Sequence, residues 1–195
     1  MNTPDIILAS ASPRRCELLA QIGVRFEQRV AEVDETPRRG EAPVDYVARV
    51  ALEKAQAVQR RFRPAVPVLG ADTAVVVDAQ ILGKPRDAAH AFSMLRLLSG
   101  RAHEVYSAVA LAGEHESVAV NCTRVWFTTI CDSEIEAYWQ SGEPCDKAGG
   151  YAVQGLAAAF ITRLDGSYSG VMGLPLYETA RLLQDFGIQV LDQHT

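Results

Sequence analysis

The sequence predicts an α/β fold built on a mixed sheet, and three observations lead there. Short β-branched runs alternate with amphipathic segments of helical period along the 195 residues, the pattern of strands and helices laid down in turn. The stretch from Glu104 to Ile130 interrupts that alternation with two long strand-like runs turning near Gly113. A hairpin there makes the sheet mixed instead of parallel. Composition is that of a globular chain, 48% hydrophobic and 22% charged, which excludes disorder and coiled coil. No linker, repeat or low-complexity tract divides it, so one domain over 1–195 with two lobes is expected.

The elements follow from local signals. An apolar run, Ile6 to Ala9, reads as the first strand. A helix then opens with Ser12 at the N-cap and Pro13 at its first position, turns Leu18, Leu19 and Ile22 inward and stops at Gly23. A second helix, Val44 to Phe62, carries Val47, Val50, Ala51 and Val58 at helical spacing. Val66 to Leu69 and Thr73 to Val77 read as two strands, the second turning back at Asp78-Ala79-Gln80. Asp87 to Leu98 is a third helix, ended by Gly100. After the hairpin come a short helix, Ser133 to Gln140, with a capping box between Ser133 and Glu136, and strands around Tyr151 to Val153 and Ala158 to Leu164. A last helix starts at Pro175 and buries Leu176, Ala180, Leu183 and Phe186.

Charge narrows the function classes. The net charge of −5 disfavours a nucleic-acid coat, which needs a basic face. A small phosphorylated ligand remains compatible if positive charge is gathered locally. No apolar run is long enough to span a membrane. Asp5, Arg14, Arg15 and Glu17 come too early for a secretory leader, so a cytoplasmic location is expected. Cys16, Cys122, Cys131 and Cys145, and the histidines at 90, 103, 115 and 194, lack metal-ligand spacing. Of 19 basic residues only Lys54, Lys84 and Lys147 are lysine, and a compact ammonium is not replaceable by a guanidinium everywhere.

Three segments carry candidate chemistry. Ser10-Ala11-Ser12-Pro13-Arg14-Arg15 lies at a strand-to-helix junction, where free backbone N–H groups, two hydroxyls and two guanidiniums suit phosphate. It also reads as an ordinary capped helix with solvated arginines. Leu69-Gly70-Ala71-Asp72-Thr73 sets an acid among small residues, where a ligand, metal or water can approach, although a turn Asp bonding its own backbone has the same letters. Nearby, Leu82-Gly83-Lys84-Pro85 is not a Walker A loop, since Asp78 stands at its first Gly position. In the third segment, Asp146-Lys147-Ala148-Gly149-Gly150 leads to Gln154, whose amide matches the N–H and C=O edge of uracil or thymine; a β-turn with a solvated Lys is the simpler reading. Glu32, Asp34 and Glu35 suit Mg²⁺ or are a solvated acidic loop. His103 reads as a satisfied strand-edge residue, and Trp126 and Trp139 as core or interface.

Assembled, these segments resemble the Maf family of nucleotide pyrophosphatases. The likeness runs through Leu8-Ala9-Ser10-Ala11-Ser12-Pro13-Arg14-Arg15, Gly70-Ala71-Asp72-Thr73, Gly83-Lys84-Pro85, Ser99-Gly100 with His103, and Asp146-Lys147-Ala148-Gly149. It continues through Gln154-Gly155, Gly166-Ser167-Tyr168 and Gly173-Leu174-Pro175-Leu176. It implies an inosine-triphosphatase-like fold, with an elongated mixed sheet and a central cleft between two lobes. The implied reaction is hydrolysis of a nucleoside triphosphate to monophosphate and pyrophosphate with a divalent cation, Mg²⁺ or Mn²⁺.

Under the same resemblance Asp72 matches the family's proposed general base, and Glu35 with Asp72 would hold the metal. Arg14, Thr73 and Gln154 match positions separating the dTTP/UTP branch from the branch acting on 7-methyl-GTP. Ser12, Arg15, Lys54, Lys84 and Lys147 match positions expected along the cleft, and a homodimer is implied. Departures are confined to Ala74, Gly150 and Met172, none of which removes a polar group. Family members are also linked to septum formation, so a non-catalytic nucleotide sensor is the alternative.

Overall fold

A computed structural model describes residues 3–190; His194 lies outside them. The chain order is β1 (Ile6–Leu8), α1 (Pro13–Gln21), β2 (Phe26–Gln28), α2 (Pro43–Phe62), β3 (Val68–Val77), β4 (Gln80–Leu82) and α3 (Ala88–Leu98). The long strands β5 (Ala102–Ala112) and β6 (Glu116–Phe127) follow, then α4 (Asp132–Gln140) and three 3₁₀ turns. The chain continues through β7 (Ile161–Asp165), α5 (Tyr168–Met172) and α6 (Leu176–Asp185). The strands form one sheet ordered β2-β1-β3-β5-β6-β7, with β4 also on β3. β1 is parallel to β2 and β3, and the other pairs are antiparallel. The expected mixed sheet flanked by helices is what the chain forms.

Side-chain parity along β3 explains the two lobes. Successive strand residues point to opposite faces. On one face Leu69 and Ala71 join a core with Leu18, Leu19, Val109, Leu111 and Leu183, while Val75 and Val77 join a second core with Leu95, Leu98, Phe127 and Ile135. Thr73, between them in the same parity, belongs to neither. On the other face Ala74 and Val76 pack against Val47, Val50 and Ala51 of α2. Gly70 permits this: a Cβ there would lie 2.1 Å from the Ala51 carbonyl oxygen, so only glycine lets the helix sit this close.

Several expected boundaries are corrected. The two strands foreseen at Val66 to Leu69 and Thr73 to Val77 are one strand of ten residues, because the antiparallel ladder to β5 runs unbroken from Val68 to Val76. No strand forms at Tyr151 to Val153, where Gly149 and Gly150 adopt φ of 67° and 72° and turn the chain. Residues from Leu156 to Phe160 are a 3₁₀ turn, so that last strand begins at Ile161. The capping box lies two residues earlier than foreseen, with Cys131 and Glu134 instead of Ser133 and Glu136. In α6, Thr179, Leu182 and Leu183 are the buried residues and Pro175 is the N-cap. Short β2 and α5 were not foreseen; each is too brief to carry a periodic signal.

The isolated aromatic residues also differ in part from expectation. His103 is no edge residue: it lies 3% exposed on the central strand β5. Trp126 and Trp139 are half-buried, and the Arg163 guanidinium stacks 4.8 Å from the Trp126 ring. The four cysteines are free, and only Cys16 is even partly covered. Among the described residues no helix is long and apolar enough to cross a membrane.

Candidate active site

Register places the cleft. β1 accompanies β3 only as far as Leu8 opposite Leu69, and β4 joins the same strand from Val75 opposite Leu82. Gly70 to Ala74 therefore have no strand neighbour on that edge. Into the gap opens a cleft of about 700 Å³, a volume suited to a nucleotide-sized ligand. An open edge is accessible from both faces of the strand, which is why consecutive residues, Asp72 and Thr73, both line it. Ten residues singled out from the sequence line this one cleft, namely Ser12, Arg14, Arg15, Glu35, Lys54, Asp72, Thr73, Lys84, Lys147 and Gln154, whereas Glu32 and Asp34 of the acidic run do not.

Asp72 is 6% exposed on the α2 side of the strand. Lys54, brought close by the Gly70 contact, donates to Asp72 Oδ1 at 2.8 Å and lies 2.9 Å from Glu35 Oε1. Tyr46 steadies the Glu35 segment by donating its hydroxyl to the Glu35 carbonyl at 2.9 Å. Asp72 Oδ2 is buried without a hydrogen-bond partner. Burial pushes the Asp72 carboxyl above its ordinary value of 3.8, and the charges of Lys54 and Arg15 only partly oppose that. The acid is thus more basic than a solvated aspartate and has one oxygen uncommitted.

The cations come from distant stretches. Arg15 is fixed by donating its Nε to the Gly173 carbonyl at 2.8 Å and Nη1 to Ser10 Oγ at 3.1 Å. Burial lowers its pKa, yet a guanidinium stays charged, and it has no carboxylate ion-pair partner among the described residues. Arg14 and Lys84 are likewise free of carboxylate pairs among those residues. Lys147 is paired with Asp146, which it holds below the usual carboxylate range. Ser12 sits at the N-cap of α1 but its side chain makes no capping bond, so its hydroxyl and the first N–H groups of the helix are available to an anion. Gln154, in the turn that follows Gly149 and Gly150, is exposed along the cleft. Thr73 Oγ1 lies 3.0 Å from Ser107 Oγ.

These groups also bear on a divalent cation. Among the described residues there is no cluster of three or more His, Cys, Asp or Glu side chains suited to a metal. The Asp72 and Glu35 carboxylates, which share Lys54, supply hard oxygen donors from two side chains. That is the complement Mg²⁺ takes from protein when substrate phosphates fill the remaining positions, so the residues fit.

Residues 5–186 match the family described as Maf-like protein. The chain belongs to the Maf family. A Maf relative from Methylococcus capsulatus, 54% identical over 94% of this chain and 91% of its own, is named dTTP/UTP pyrophosphatase. Relatives of the same name from Nitrosomonas europaea and Vibrio cholerae are each 51% identical over 95% of this chain and cover 96% and 100% of their own lengths. Among solved structures a HAM1 protein from Coxiella burnetii is similar at 16% identity and a TM-score of 0.46, over 64% of this chain and 73% of that one.

Sequence reading missed two cleft supports, Tyr46, which holds the Glu35 segment, and Ser107 behind Thr73, while Ser10, read as a phosphate donor, instead holds Arg15 together with the Gly173 carbonyl. A signal existed for Ser107 alone. It falls at the inward parity of β5, between Val105 and Val109, where an apolar residue is expected.

Proposed function

We propose that this chain is a nucleoside triphosphate pyrophosphatase that hydrolyses dTTP and UTP to the monophosphate and pyrophosphate. The observation that carries the reading is the buried Asp72 with one free oxygen, set among Arg15, Lys54, Arg14 and Lys84 in a cleft of an acidic protein. A nucleotide sensor needs the cations but gains nothing from an unsatisfied acid at their centre. The names of the relatives support the same reaction and the same pyrimidine substrates.

In this reading the triphosphate lies against the α1 N-terminus and Arg14, Arg15 and Lys84, which hold it and spread the charge of the leaving group. Positioning and electrostatics carry most of the acceleration in phosphoryl chemistry. Asp72 accepts a proton from water as the water oxygen bonds to the α-phosphorus. The α–β bridging P–O bond breaks, and pyrophosphate leaves with the bridging oxygen. Lys54 orients the acid through Oδ1 and leaves Oδ2 toward the water. Glu35 and Asp72 would hold Mg²⁺ or Mn²⁺, which supplies Lewis-acid neutralisation of phosphate charge when bound. Gln154 reads the base edge, and Lys147 closes the same wall. A homodimer in the cytoplasm is the expected state.

The test is product analysis over a panel of dTTP, UTP, CTP, ATP, GTP and 7-methyl-GTP, with and without Mg²⁺. A hydrogen bond at the base edge is worth about 0.5–1.5 kcal/mol, so dTTP and UTP should lead by several-fold to about tenfold, releasing pyrophosphate. Inorganic phosphate as first product, or a flat profile, contradicts the proposal.

A further inference from the structure

The polar seam that separates the two apolar lobes has a direction. Thr73 on β3 lies opposite Ser107 on β5, and Ser107 lies opposite Asn121 on β6. Ser107 is 1% exposed, and its hydroxyl donates to the Gly170 carbonyl of α5 at 2.6 Å. A carbonyl cannot donate, so the single hydroxyl hydrogen of Ser107 is spent there. The 3.0 Å contact between Thr73 Oγ1 and Ser107 Oγ then has one consistent sense, with Thr73 donating. Thr73 in turn has no hydrogen left, and it faces the cleft with lone pairs.

The anchor of this relay cannot easily move. Gly170 N–H donates to Ser167 Oγ at 3.0 Å, and Ser167 N–H donates to Thr123 Oγ1 at 2.8 Å. Thr123 donates to Asn121 Oδ1 at 2.9 Å, and Asn121 donates to Glu178 Oε1 at 2.8 Å. Gly166, at φ 132°, brings Ser167 onto Thr123: a Cβ there would lie 2.6 Å from Thr123 Oγ1. The Gly170 carbonyl is therefore held over Ser107 through Thr123 and Asn121 of β6 and Glu178 of α6.

We propose that Ser107 is a positioning residue that makes Thr73 an obligate acceptor, so that the cleft selects the imide N3–H of uracil or thymine over the bare ring nitrogen of cytosine. The inference rests on the pyrimidine triphosphate reading above. An N3–H donates to the Thr73 lone pair, whereas cytosine N3 sets lone pair against lone pair. Without Ser107 the Thr73 hydroxyl turns freely and can donate to cytosine.

The experiment compares kcat/KM for UTP, CTP and N3-methyl-UTP in wild type, Ser107→Ala, Thr73→Val, Thr73→Ser and the Ser107→Ala/Thr73→Val double variant. Ser107→Ala should shrink the UTP-to-CTP ratio about tenfold, the scale of one hydrogen bond gained and one lost. In the Thr73→Val background the same substitution should leave the ratio unchanged, because Ser107 acts through Thr73. Wild type should lose about tenfold on N3-methyl-UTP relative to UTP, and Thr73→Ser should keep the wild-type ratio. An unchanged ratio in Ser107→Ala, or an equal change with and without the Thr73 hydroxyl, overturns the proposal. Should Ser107→Ala not fold, wild type on N3-methyl-UTP and the Thr73→Ser against Thr73→Val pair decide it: full activity on N3-methyl-UTP, or equal ratios in the two Thr73 variants, refutes it. Absence of pyrophosphate release from UTP by wild type refutes instead the pyrophosphatase reading itself.

Discussion

Asp72→Asn should fold and lose about 10²–10⁴ of kcat, the usual cost of removing a general base. The substitution is nearly isosteric, its amide oxygen can still accept from Lys54, and it removes a charge whose burial is unfavourable. The sign follows from the raised pKa of Asp72: the folded state holds the ionised acid less well than water does, so neutralising it should leave thermal stability equal or higher. Loss of turnover without loss of Tm is the expected pair of results. The kcat–pH profile of wild type should also show a rising limb above 3.8, the ordinary value. Lys54→Met should move that limb to higher pH, since it deletes the main charge opposing the shift. Activity within a few-fold of wild type in Asp72→Asn would remove the acid from this role.

His103 should make the fold sensitive to mild acid. It is packed edge-on between Phe127 and Tyr151, at centroid distances of 5.0 and 5.4 Å. Its Nε2 pairs with the Tyr151 hydroxyl at 2.7 Å, while Nδ1 is buried without a partner. Burial, helped by Arg101, lowers its pKa from 6.5 to about 4. The unfolded chain therefore binds a proton in a window where the native state does not. Stability is full above the unfolded value and falls as pH drops from 6.5 toward 4, by about 3 kcal/mol over the whole interval. Urea unfolding at pH 7.5 and 4.5 should show most of that loss in wild type and much less in His103→Gln, whose amide can still pair with Tyr151. Staying above pH 4.5 limits interference from carboxylates such as Glu41, held at about 2 by Arg49. Equal losses in both proteins would contradict this account of His103.

Much of the site was legible because its residues break local rules in the sequence. Asp72 sits inside an apolar run, and the Gly70 beside it is explained by the closeness of α2. The three lysines stand out in an arginine-rich chain, and all three line the cleft. What could not be read was set by tertiary contacts. The Gly70-Ala71-Asp72 stretch looks like a break between two strands, but the β5 ladder carries the chain straight through it. Tyr151 to Val153 has strand-like composition, yet the two preceding left-handed glycines turn it. His103 has the letters of an edge residue, and only the order of strands puts it in the core. The convergence of Lys54 and Glu35 on Asp72 depends on how near α2 approaches the sheet, a distance no spacing in the sequence encodes.

The central claim is that the cations of this cleft hold a triphosphate so that water guided by Asp72 meets the α-phosphorus. Its most direct test is hydrolysis of dTTP by the wild-type protein in ¹⁸O-labelled water, with mass analysis of both products. The label should appear in the monophosphate and be absent from pyrophosphate. Label in pyrophosphate, or in free inorganic phosphate, would contradict it by placing the attack on the β- or γ-phosphorus.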